Sequence, residues 1–481
     1  MVKIDTRVSV YLRIVVVSLL VAFLGLGPVP HALSTLLKNA QTALDSGDWS
    51  NATTNLANAA HYYPWRAELI IDAAQAAFKE GDFKATIEYL ERPGTFSRLS
   101  SEDLTLLGEA YSQSGNTSKA EAIWKGVIKQ ANSIQASQNL ANLYLEQEDY
   151  ASAASQMQNL LSLNPADVKL YYQVGLLYAA TDPVKALPYF AQAIDIDPSN
   201  ASKAQDLYDK IRTATLFNQP AYTLLASGRK LADMSEWALA AGAFKQATAI
   251  DPGYADAWAF LGEAEQQIVI KEAGLSSEVG LAELERALQL DPHSALANTF
   301  MGLYWERQQD FTQANTSLDQ AIAITPEDPY LYTEQGNILS KAGDLPAAQA
   351  AYEKAIQLAP KEALFYRLLA EFALENQIQI HELALPRARQ AVMLNPDDPA
   401  SLDLMAKVMI ALQDYYSAKN YAQAAIHTDP GFDPAYLHLG TAYLYLNESV
   451  LARQWLDKAS KLNPSSWSAA QAKRMIEYYF P

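Results

Sequence analysis

Six histidines and no cysteine limit the chemistry this 481-residue chain could carry. Without thiols there is no thiolate nucleophile, disulfide, iron–sulfur cluster or cysteine-ligated zinc. The stretch His381-Glu382-Leu383-Ala384-Leu385 opens like a zinc-protease helix, but leucine stands where the second histidine would complete the metal-gripping pair on one helical face. His427 and His438 are eleven residues apart on separate predicted helices and read as surface residues. No GxxxxGKS/T phosphate loop, GxSxG elbow or GxGxxG turn occurs. The 54 acidic residues are expected on the solvent faces of amphipathic helices, and nothing pairs them for acid–base work. The expectation is therefore a protein that is not an enzyme, with no catalytic residue, metal, cofactor or small-molecule substrate.

Composition narrows the partner class further. Lys plus Arg number 36 against 54 Asp plus Glu, a net charge of −18 with a pI near 4.8, which argues against a nucleic-acid backbone as ligand. Half of the residues are hydrophobic and only 19% are charged, enough apolar surface for a folded core.

The elements that would position any surface come from a recurring pattern. Its clearest copy is Pro329 to Pro360, PYLYTEQGNILSKAGDLPAAQAAYEKAIQLAP. Tyr332, Gly336 and Leu339 fall at i, i+4 and i+7, one face of a helix, and Gly343-Asp344 marks a break. Ala348, Tyr352 and Ala355 repeat that spacing in a second helix, which Pro360 ends. Copies start near residues 33, 67, 101, 134, 168, 221, 255, 295, 329, 363, 399 and 433, and seven of the eleven steps are 34 residues. The closing prolines Pro292, Pro326, Pro360, Pro396, Pro430 and Pro464 keep nearly the same beat. A lone helical hairpin cannot bury its apolar face, so neighbouring copies must stack and share a core. Gly108, Gly175, Gly228, Gly262, Gly302, Gly336 and Gly440 allow close approach from the first helix, and Ala59, Ala193, Ala247, Ala287, Ala321, Ala355, Ala425 and Ala459 from the second. Tyr111, Tyr144, Tyr178, Trp305 and Tyr443 fill the space between.

This period, with Leu-Gly-x-x-Tyr at Leu107, Gly108 and Tyr111 and again at Leu439, Gly440 and Tyr443, resembles the tetratricopeptide repeat over about nine-tenths of the chain. The resemblance implies an all-α fold, a right-handed α-solenoid of about 12 helical hairpins. An extra helix near 201–215 accounts for a step of 53 residues and divides an amino-terminal arm, 32–217, from a carboxy-terminal arm, 218–464. Residues 465–481 are expected as a capping helix. Insertions near Glu272 to Val279 and Asn376 to Ile380 are expected as loops on one face.

In proteins of this family the first helices line a concave groove. Carrying those positions over gives Gln138, Asn142, Tyr172, Tyr222, Arg229, Arg307, Tyr330, Asn337, Arg367 and Lys407 as the principal candidates. Lys169, Glu263, Glu306, Lys341, Glu371 and Asp403 lie beside them. Tyrosines and amides suit an extended peptide, since rings give area at low entropic cost and amides satisfy main-chain groups. Some relatives clamp a carboxylate end with lysine and asparagine; Gly336-Asn337 fits, but Thr333 occupies the lysine position, so that ligand is not expected.

At the amino terminus, residues 8–26 form a 19-residue apolar span interrupted chiefly by Arg13, about 28 Å long as a helix. It reads as a transmembrane anchor within 1–31, or as an uncleaved signal; a cleaved signal is the competing reading. Lys3, Arg7 and Arg13 would keep the terminus cytoplasmic, leaving the bulk of a single-pass membrane protein extracytoplasmic, in a periplasm, at a cell surface or in a lumen. The functional expectation is a non-enzymatic, membrane-tethered scaffold or adaptor that binds proteins or peptides as complex subunit or assembly factor. A self-associating structural or surface protein is the alternative, and a carbohydrate-handling module the third reading.

Overall fold

The computed structural model describes residues 31–273 and 278–481. Among these, every regular element is helical, 27 α-helices and one π-helical turn. The chain divides into two compact units, Met1–Leu216 and Phe217–Pro481.

The first unit runs through five hairpins: His31–Ser46 with Trp49–Tyr62, Ala67–Glu80 with Phe83–Leu90, Ser101–Gln113 with Thr117–Ala131, Ile134–Glu146 with Tyr150–Leu163, and Val168–Thr181 with Pro183–Ile196. A short helix, Pro93–Phe96, interrupts the second hairpin's exit, and Ser202–Thr215 closes the unit unpaired. The second unit has seven hairpins, from Pro220–Asp233 with Trp237–Ile250 to Asp433–Tyr445 with Ser449–Leu462, and ends with Trp467–Tyr479. Within each unit a helix packs on the next in the chain, and several first helices of adjacent hairpins also touch each other. That nearest-neighbour pattern defines a solenoid.

The turn inside each hairpin shows why the sequence breaks there. In the copy at 329–360, Gly343 takes φ +85° and the Asp344 amide donates back to the Leu339 carbonyl at 2.9 Å, closing the first helix. The Asp344 carboxylate then accepts from the Ala347 amide at 3.1 Å and starts the second helix. Asp48, Asp82, Asp149, Asp310 and Asp414 repeat this in other hairpins. Several carboxylates expected as plain solvent-facing groups are therefore helix caps.

The helices of a pair meet at the glycines. A Cβ on Gly108 would lie 2.4 Å from Trp124 Nε1, and one on Gly228 would lie 2.5 Å from Phe244 Cε1. Ala193, Ala247, Ala321, Ala355 and Ala459 are buried opposite. Tyr111, Tyr144 and Tyr443 are buried, whereas Tyr178 and Trp305 are half-buried.

Three expectations are corrected. Among the described residues no helix is long and apolar enough to cross a membrane, so the transmembrane helix and the single-pass localisation are withdrawn; residues 8–26, on which they rested, lie outside the described residues. Near Glu272 the surplus extends a helix, Ala255–Ala273, instead of forming only a loop. The two extra residues near 376–380 add a second left-handed residue, Gln379, after the ordinary one at Gln377, followed by the π-helical turn Ile380–Ala384.

Candidate protein-binding surface

The first helices carry the expected groove residues, and the two units use them differently. In the first unit Gln138 and Asn142 lie one turn apart, both exposed, on Ile134–Glu146. Tyr172 is half-buried on Val168–Thr181, its ring 6.1 Å from that of Phe190.

In the second unit, side chains reach from one first helix to the next. Arg307 donates to both carboxylate oxygens of Glu263, at 2.8 and 2.6 Å, with side chains only 15% and 10% exposed. This fork-on-carboxylate geometry fixes the angle between helices Ala255–Ala273 and Ala295–Arg307. The neighbouring Glu306 pairs with Lys341 of the following first helix. There Asn337 accepts from the Tyr352 hydroxyl at 2.5 Å and donates to Glu334 at 3.3 Å. Burial pushes the Glu334 carboxyl above its ordinary range, against the hydrogen bond from Asn337, and burial likewise raises the Tyr352 hydroxyl.

Further along, Arg367 donates to Asp398 at 3.1 Å. Asp398 also caps Pro399–Ala411 through the Ser401 amide and hydroxyl. Burial works against its charge, but the Ser401 hydrogen bonds and the Arg367 charge outweigh it and hold the carboxyl low. Glu371 is half-buried, and burial raises its carboxyl despite the Lys407 and Arg367 charges nearby. Lys407 is half-buried on the same run of helices. His438 meets Asp403 at 2.7 Å with both side chains nearly enclosed, which corrects the surface role read for that histidine. Its ring nitrogen donates or accepts according to tautomer.

Of the remaining expected residues, Tyr330 and Arg229 are the accessible ones. Tyr330 is 59% exposed, edge-on to Phe365 at 5.3 Å. Arg229 is exposed with its guanidinium 5.2 Å over the Phe260 ring. Tyr222 is half-buried against Phe217. Thr333, at the position a carboxylate clamp would need as lysine, is buried and donates to the Tyr330 carbonyl. Sequence reasoning missed Glu334 and Asp398 and the pairings themselves. The signal was available: Glu306 to Lys341 and Asp403 to His438 are each 35 residues apart, one repeat plus one.

A family model described as tetratricopeptide repeat matches residues 139–201 and 333–399, and a second of the same description matches 433–466. Among solved structures the chain is similar to yeast Tom70 at 15% identity, over 93% of this chain and 95% of that one, with a TM-score of 0.44. It is similar to YrrB, described as a tetratricopeptide-repeat protein with an unusual peptide-binding site, at 21% identity over 40% of this chain and 97% of that one, TM-score 0.30. For pilF of Pseudomonas aeruginosa the values are 18% identity, 47% and 98% coverage, and 0.36. No curated protein matches the chain.

Proposed function

We propose, on the premise that this chain is a tetratricopeptide-repeat protein, that it is a non-enzymatic scaffold or adaptor whose first helices bind protein or peptide partners. The observation that carries this reading is the run of cross-repeat pairs from Glu263–Arg307 to Asp403–His438. Such pairs hold successive helices at fixed angles, so a partner meets a surface already ordered and loses less entropy on docking. Tyr330 and Arg229 stand accessible beside them as an aromatic anchor and a cation, residue types that dominate binding energy at interfaces. Gln138, Asn142 and Tyr172 form the corresponding surface of the first unit. We take 32–217 and 218–464 as the two functional arms and 465–481 as the cap of the second.

Affinity purification with the full chain, followed by mass spectrometry, tests the reading. Replacing Tyr172, Arg229 and Tyr330 together by alanine should lower capture of discrete heterologous partners by at least about tenfold while the circular dichroism spectrum stays helical. Unchanged capture would remove the first helices from the mechanism. Self-association is the second reading, favoured by Trp467 and Tyr478, 64% and 78% exposed on the final helix. Sedimentation equilibrium separates it, since only self-association gives a mass above the 52.9 kDa of one chain in the absence of a partner.

A further inference from the structure

The second unit has a recess lined by the end of helix Leu281–Leu290, the turn that follows it, the start of Ala295–Arg307 and the end of Phe311–Ile324. Its volume is about 600 Å³, within the range of about 300–1,000 Å³ for ligand pockets. Leu288, Ala323 and Ile324 give it apolar walls, and no Asp, Glu, Lys or Arg lines it.

A single departure from the repeat accounts for its size. In four other hairpins of this unit an aromatic side chain stands six residues after the proline of the preceding turn and donates to that proline's carbonyl. Trp258 reaches Pro252 at 3.0 Å, Tyr332 reaches Pro326 at 3.1 Å, Tyr366 reaches Pro360 at 3.1 Å and Tyr436 reaches Pro430 at 2.9 Å. Each of these rings is buried or half-buried. Leu224 and Leu402 keep the same position apolar and buried in two further hairpins. Six residues after Pro292, however, the chain has Asn298. That side chain is too short to span the gap and turns back instead, its Nδ2 donating to the Ser294 carbonyl at 2.9 Å.

Two acceptors are left at the recess. The Pro292 carbonyl accepts from no side chain among the described residues, and neither does the Oδ1 of Asn298, whose residue is only 1% exposed. The equivalent recess of the last hairpin, beside Tyr436, is smaller at about 410 Å³ and has Lys458 and Lys461 where Gln320 and Ala323 stand here. A wider, uncharged recess with unused acceptors is the complement of a flat apolar body carrying one donor, the description of a phenol or an indole.

We propose that this recess binds a tyrosine or tryptophan side chain from a peptide segment of a partner protein. The ring takes from outside the place that Trp258, Tyr332, Tyr366 and Tyr436 take within the chain, and its O–H or N–H donates to the Pro292 carbonyl. None of the groove candidates lines the recess, so the site goes beyond the first-helix reading and can fail or stand independently of it.

The test uses the full chain and the peptide acetyl-Gly-Ser-Tyr-Ser-Gly-amide, with saturation-transfer NMR on the tyrosine ring protons. Asn298→Tyr supplies the ring from within and should weaken peptide binding at least about tenfold, with a melting temperature equal to or above that of wild type. Ala323→Trp, at an exposed position on the opposite wall, should block the peptide equally and serves if the first variant loses its helical circular dichroism. Phenylalanine in place of the peptide tyrosine should cost about fivefold through the lost donor, and leucine more. The triple alanine variant at Tyr172, Arg229 and Tyr330 should bind the peptide as wild type does, even where it loses its partners.

Undiminished binding by both recess variants, or equal binding of the tyrosine and leucine peptides, overturns the proposal. Loss of the peptide in the triple alanine variant overturns it by moving the ring to the first helices. A wild-type mass above 52.9 kDa that Asn298→Tyr returns to that value overturns it in favour of a second copy, whose Trp467 and Tyr478 are exposed.

Discussion

The two units share one way of packing and differ in what they do with polar side chains. In the second, ion pairs or a histidine–carboxylate contact join first helices across several repeats, at Glu263–Arg307, Glu306–Lys341 and Asp403–His438. In the first, no ion pair among the described residues links one first helix to the next; there a neutral amide does so, Gln75 donating to Asp103 at 3.1 Å, while Tyr144 donates to Glu121 on a second helix. The same hydrophobic spine thus supports a surface whose charges are largely satisfied internally and another whose first helices are not tied in that way. Rigidity and availability are alternative uses of one set of helical positions.

The sharpest break in that comparison would come from Arg307→Ala. It leaves Glu263 enclosed without its counter-charge, with only the Gln267 amide still donating to it, at a cost of about 3–5 kcal/mol. Hydrogen exchange should show faster opening of helices Ala255–Ala273 and Ala295–Arg307, with Ile134–Glu146 unchanged. A loss below about 1 kcal/mol would mean the pair behaves like an exposed one. The shared packing predicts equal penalties in both units. Gly108→Ala and Gly228→Ala each force a methyl into an aromatic ring and should cost about 1–3 kcal/mol in denaturant melts. Unequal penalties would show that the units differ in their cores as well as on their surfaces.

The smallest effect concerns Glu371. Burial raises its carboxyl, so the folded chain holds that proton more tightly than the unfolded chain does. The stability this group contributes is complete at acid pH, below the ordinary glutamate range, and is lost as pH rises through the folded value. Glu371→Gln should therefore raise the melting temperature at pH 8 and leave it nearly unchanged at pH 3.5. An equal rise at both values would point to packing instead of charge.

Much of this fold could be read before any coordinates, because the signals were periodic and local. Tyr332, Gly336 and Leu339 mark a helix face, Gly343-Asp344 marks its end, and repetition multiplies both. What escaped notice depended on contacts between repeats. His438 appeared superficial because its partner, Asp403, sits a full hairpin away in sequence. Glu334 stands one position outside the family's lining pattern, so nothing local distinguished it from a solvent-facing glutamate. Among the groove candidates, Arg307, Asn337 and Arg367 proved to be engaged within the chain, whereas Arg229 and Tyr330 are accessible.

The π-helical turn at Ile380–Ala384 carries a consequence for how such a chain tolerates change in length. A wider backbone ring takes up surplus residues on the spot, and Ala388 and Ala391 beyond it are fully enclosed, like their counterparts in hairpins without the surplus. The insertion is absorbed within one turn of backbone, and every later hairpin keeps its phase. An array built this way can lengthen or shorten at single joints through mutation, reshaping its surface locally while the downstream helices stay in step.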